Sequence, residues 1–131
     1  GDFAGRAGTG LMGRILVVED SSAIRLLIRR RLEMAGHQVE EAANGLEALD
    51  QLGSTAEPDL IVLDESMPVF DDAGLLTRLR EQWSELPVIV VSASPASESD
   101  PIMHSADARL AKPINFERLF EVIDRLTSES P

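Results

Sequence analysis

Glu19, Asp20, Asp64, Ser92 and Lys112 each follow directly on a short apolar run: RILVV (Arg14 to Val18), PDLIVL (Pro58 to Leu63), PVIVV (Pro87 to Val91) and the weaker ARLA (Ala108 to Ala111). Three carboxylates brought together repel one another unless a cation sits among them. An all-oxygen donor set favours a hard ion such as Mg²⁺, which keeps several waters while sharing carboxylates with a phosphate. A carboxylate can also act as a nucleophile and form a covalent aspartyl-phosphate, and Asp64 is placed for that role. Lys112 would supply a cation for phosphate oxygens and Ser92 a hydroxyl donor. Positioning and charge compensation then account for most of the chemistry.

Those five residues meet only if the runs before them lie side by side. The runs are short and almost wholly apolar, as buried parallel strands are. QVEEA (Gln38 to Ala42) is a fifth, more polar run suited to a sheet edge. Between the runs, apolar residues recur at helical spacing. Ile24, Leu27, Ile28, Leu32 and Ala35 predict one face of a helix over Ser22 to Ala35, stopped by Gly36. Leu46, Leu49 and Leu52 mark a second helix, and Leu75, Leu76 and Leu79 a third. The last begins near Asn115, a good N-cap, and carries Leu119, Val122, Ile123 and Leu126. Such alternation predicts a parallel sheet covered by helices on both faces, with its ligand site in the crevice beyond the carboxyl ends of the strands.

Composition narrows the functions. At 131 residues and 44% hydrophobic, the chain has the size and apolar content of one domain with a real core. A net charge of −11 argues against nucleic acid or an anionic membrane as a direct partner and leaves cations open. With no cysteine there is neither a disulfide nor thiol chemistry. Residues 1–13 are glycine-rich and non-periodic and read as a flexible leader or expression remnant, 14–127 as the domain, and 128–131 as a tail. His37 and His104 lie outside the acid cluster and are assigned structural or surface roles, and Trp83 is assigned to packing.

The chain resembles the response regulator receiver domain of bacterial two-component signalling. The resemblance is carried by ILVVED (Ile15 to Asp20), NGLEAL (Asn44 to Leu49), PDLIVLDESMP (Pro58 to Pro68), VIVVSA (Val88 to Ala93) and Lys112-Pro113. It implies a flavodoxin-like α/β fold with strand order 2-1-3-4-5, Asp64 as phosphoacceptor, and Asp20 as a direct Mg²⁺ ligand. Glu19 would hold a metal-bound water and the Ser66 backbone carbonyl would be a further ligand. Ser92 would turn toward the phosphoryl group and Lys112 would pair with it. Also implied are a histidine kinase or histidine phosphotransfer protein as donor, an output protein that the resemblance does not specify, a cytoplasmic setting, and slow self-dephosphorylation without enzymatic turnover. Lys-Pro is often cis in this family, and X-Pro is where a cis bond costs least.

Several positions depart from the family pattern. Arg109, three before Lys112, stands where an aromatic residue is usual, and the chain has no tyrosine. Glu65 adds a fourth acid, Val69 to Asp72 replaces a glycine-rich turn, and Ser94 to Pro101 (SPASESDP) predicts a short or mobile fourth helix with an atypical output surface. These features favour an alternative, a phosphorylation-independent interaction module on the same fold. The intact acid, hydroxyl and lysine set weighs against it. Flavodoxin chemistry is disfavoured because Glu19-Asp20 would repel a phosphate where a phosphate-cradling loop is required. An aspartyl phosphatase of the haloacid dehalogenase type needs Asp-x-Asp after the first strand, where this chain has Asp20-Ser21-Ser22.

Overall fold

The computed structural model describes residues 13–54, 57–64, 72–92 and 106–127. Among them are five strands, β1 (Arg14–Val18), β2 (Gln38–Ala42), β3 (Leu60–Asp64), β4 (Val88–Ser92) and β5 (Ala108–Ala111). Four helices accompany them: α1 (Ser22–Met34), α2 (Gly45–Ser54), α3 (Asp72–Gln82) and α4 (Phe116–Thr127). The strands form one parallel sheet in the order β2-β1-β3-β4-β5. The expected α/β architecture and strand order are therefore observed, with the polar QVEEA run at an edge. Residues 1–12 of the leader, the tail, Glu65 to Asp71, Ser94 to Pro101 and His104 lie outside the described residues.

Strand residues alternate between two cores because successive side chains in a strand point to opposite faces. Leu16, Val18, Ile61, Leu63, Val88 and Val90 pack with Ala48, Leu52, Leu75, Leu76 and Leu79 of α2 and α3, and Trp83 lies against this cluster. Ile15, Val17, Leu60, Val62, Ile89 and Val91 pack with Ile28 and Leu32 of α1 and with Leu119, Val122 and Ile123 of α4. The central strands β3 and β4 are buried at every position, as expected for a sheet covered on both faces.

Local chemistry sets the helix ends. The Ser21 hydroxyl accepts the Ile24 N–H at 3.3 Å and the Asn115 side chain accepts the Arg118 N–H at 3.1 Å, each satisfying an orphan donor of the first turn. At the end of α1, Gly36 adopts φ 100, a conformation that favours glycine. The Gly36 N–H donates to the Glu33 carbonyl and the His37 N–H to that of Leu32, which completes a Schellman stop.

Two helix faces differ from the sequence expectation. In α1, Ile24 and Leu27 are 41% and 50% exposed, and Ala35 is exposed as well. The inward face is formed by Arg25, Ile28, Arg29 and Leu32, the two arginines meeting Glu41 of edge strand β2. Apolar periodicity misplaced this face because two of its four positions hold arginines that satisfy their charge on an acid. In α2, Leu46 is exposed while Ala48 and Leu52 carry the burial.

Candidate functional site

Strand register builds the site. Val18 of β1 pairs with Leu63 of β3, so Glu19, one residue further, comes level with Asp64; Ser92, the last residue of β4, pairs with Ala111, and Lys112 follows it. Asp64 and Ser92 are final strand residues rather than residues just past the strand, which leaves their position at the carboxyl edge unchanged. The Lys112 N–H donates to the Ser92 carbonyl at 2.9 Å, tying the end of β5 to that of β4. The Lys112-Pro113 bond is cis.

Carboxylate oxygens of Glu19, Asp20 and Asp64 all lie within 4.8 Å of one another. Glu19 and Asp64 are buried, at 2% and 4% exposure, while Asp20 is open to solvent. Lys112 Nζ reaches Asp64 Oδ1 at 2.6 Å. Burial pushes the Glu19 carboxyl up to about 7; the hydrogen-bonded Asp64 and Asp20 side chains and the Asp64 charge add to the rise, and the Ser21 amide opposes it. A cluster that holds on to a proton in this way fits a hard divalent cation, which would replace the proton and bring the acids together at lower cost.

Glu19, Asp20, Asp64 and Lys112 are thus brought together, and Ser92 stands at the neighbouring strand end, 8% exposed. Ser66, the expected carbonyl ligand, lies outside the described residues. Arg109 is on edge strand β5, beside Val90. A cavity of about 370 Å³ lined by Arg109, Leu110, Ala111, Pro113, Asn115 and Arg118 lies at β5 and contains none of the acids. His37 is buried at the opposite end of the sheet, clear of the cluster as expected.

The sequence reading missed Arg25. Its Nη1 donates to the Glu19 backbone carbonyl at 2.7 Å and its Nε to Glu41 Oε1 at 2.9 Å. The available signal was an arginine one helical turn after the acid pair, in phase with Ile28 and Leu32.

Comparison with known proteins decides the family. The family profile described as response regulator receiver domain matches residues 15–124. The chain belongs to this family. The receiver is 40% identical over 108 residues to response regulator MprA of Mycobacterium avium, covering 81% of this chain and 47% of that protein. The same protein from Mycobacterium tuberculosis gives 40% identity over the same length. The chain therefore spans about half the length of these curated relatives. Among solved structures, the receiver is similar to response regulator TrrA of Thermotoga maritima in complex with Mg²⁺-BeF. That match has a TM-score of 0.82 and 33% identity and covers 88% of this chain and 99% of that one. A Francisella response regulator 1452 receiver domain also gives a TM-score of 0.82, with 30% identity over 91% of this chain and 99% of that one. Receivers are phosphoacceptor modules of two-component signalling rather than turnover enzymes. Among the described residues no helix is long and apolar enough to cross a membrane.

Proposed function

We propose that this receiver takes a phosphoryl group onto Asp64 from the phosphohistidine of a histidine kinase or histidine phosphotransfer protein, and so switches a protein-interaction surface. The observation that carries this reading is the Lys112–Asp64 contact at 2.6 Å beside the three-carboxylate cluster. A buried acid already paired with a flexible cation has its nucleophile and its charge compensation in place.

In the proposed step an Asp64 oxygen attacks phosphorus and the P–N bond breaks. The bonding pair returns to the imidazole, which leaves neutral when the ring carries a proton. Lys112, on its four-carbon stem, moves from the Asp64 carboxylate to a phosphoryl oxygen, and the Ser92 hydroxyl donates to another. Asp20, Asp64 and the Ser66 carbonyl would hold Mg²⁺ directly, and Glu19 would hold it through a water. When bound, the ion supplies positive charge that lets carboxylate and phosphoryl group approach. The switch follows if Ser92 and Lys112 bind the phosphoryl group better in one surface state than in the other.

The direct test is intact-protein mass after incubation with Mg²⁺ and a small phosphodonor. A phosphoryl-sized gain in the wild type that is absent in Asp64→Asn and in a chelated sample is expected. A gain that survives in Asp64→Asn would place the acceptor elsewhere.

A further inference from the structure

We infer that Arg25 is a positioning residue for the cation site, acting through the backbone of Glu19. This inference rests on the metal reading above. Among the described residues, three hydrogen bonds through backbone groups hold Glu19: its N–H donates to the Ala42 carbonyl at 3.0 Å, its Oε2 accepts the Ser21 N–H at 2.9 Å, and its carbonyl accepts from Arg25 Nη1 at 2.7 Å. The first two ties involve a backbone N–H that no substitution short of proline removes. Of these three backbone ties, the one from Arg25 is made by another residue's side chain.

The same guanidinium spans to Glu41 of β2 through Nε, and Glu41 also accepts from Arg29. Arg25 therefore braces the turn carrying Glu19 and Asp20 against the edge strand, from a half-buried place on the inward face of α1. Mg²⁺ demands near-ideal octahedral geometry, so a carbonyl anchor one peptide from Asp20 bears directly on whether the acids converge. Arg29 provides a natural contrast. It shares the charge and the Glu41 partner, but among the described residues its guanidinium donates to Glu33 and Glu41 rather than to Glu19.

Geometry and electrostatics predict opposite signs. Were Arg25 only a nearby positive charge, its removal would strengthen cation binding, and Arg29→Gln would do the same. As a positioning residue, Arg25→Gln weakens Mg²⁺ binding by about tenfold, the lower end of the effect of removing an outer-shell partner. Arg29→Gln then stays within about twofold of wild type, as for a site that loses only a screened surface charge. Arg25→Lys keeps the charge, but a single ammonium on a flexible stem does not reproduce the fork that serves Glu19 and Glu41 together, so it remains weaker than wild type.

The experiment is calorimetric Mg²⁺ titration of the full chain and the three variants, with circular dichroism in chelator to establish folding. If Arg25→Gln does not fold, Arg25→Lys against Arg29→Gln carries the comparison. Wild-type binding with Arg25→Gln unchanged or tighter, with Arg29→Gln weakened equally, or with Arg25→Lys fully restored, overturns the inference and leaves the metal reading standing. A wild type that binds no Mg²⁺ overturns both.

Discussion

The two ends of the sheet use carboxylates in opposite ways. At the amino end, Asp59 accepts the Arg14 N–H at 2.8 Å, and Asp107 accepts the Val88 N–H at 2.8 Å together with Arg80 Nη2 at 2.9 Å. Arg80 also donates to the Leu86 carbonyl at 2.8 Å, so α3, β4 and the start of β5 are clamped at one point. Each of these acids is matched to a donor that the strand ends leave over. At the carboxyl end Glu19, Asp20 and Asp64 face one another, and the Lys112 cation contacts Asp64. Acids at the amino end hold the fold together, whereas those at the carboxyl end are held together by it, and self-repulsion there is what makes the site responsive to an added cation or phosphoryl group.

Substitutions at the two ends should accordingly have opposite signs. Asp107→Ala strands the Val88 N–H and the Arg80 guanidinium and should cost about 2 kcal/mol in urea unfolding; a cost near zero would show that the clamp is dispensable. At the carboxyl end, Mg²⁺ at about ten times its dissociation constant should stabilise the wild type by ~1.4 kcal/mol through mass action. Melting with and without the ion checks this, and Asp20→Asn should abolish the gain. Glu19→Gln removes one member of the self-repelling cluster and should raise stability in chelator at pH 8 by about 1 kcal/mol. A loss of stability instead would mean that Glu19 is structural and the contrast fails.

The smallest effect is expected from His37, at the amino end. It is buried, and its Nδ1 finds no hydrogen-bond partner among the described residues. Burial lowers its pKa, with Asp124 opposing. The folded state therefore favours the neutral ring, while the unfolded chain takes up a proton near the ordinary value of about 6.5. Stability is full above that value and declines as pH falls below it. His37→Leu should flatten this decline in thermal melts between pH 7 and pH 5.

The site was legible in the sequence because strand ends are marked by the switch from apolar to polar residues, and topology sends all such ends to one edge. Its acids, serine and lysine could be named before any contact was known. The face of α1 was not legible in the same way. Periodicity registers only apolar residues, and Arg25 and Arg29 occupy inward positions that become habitable once Glu41 arrives from a strand distant in sequence. Arg25 escaped notice for the same reason, since its partner at the site is a backbone carbonyl, which carries no residue-type signal.

Edge strand β2 bears Glu40 and Glu41, engaged by Arg14 and by Arg25 and Arg29, and the opposite edge, β5, is only four residues long and bears Arg109. Exposed strand edges invite further strands to add, and short length and charge are the usual deterrents. The arginine–glutamate pairs along β2, of which Arg25–Glu41 braces the acid-bearing turn, thus also keep charge on the edge and help to stop the sheet from growing into an aggregate, so a variant that neutralises Glu40 and Glu41 together exchanges solubility for a smoother edge.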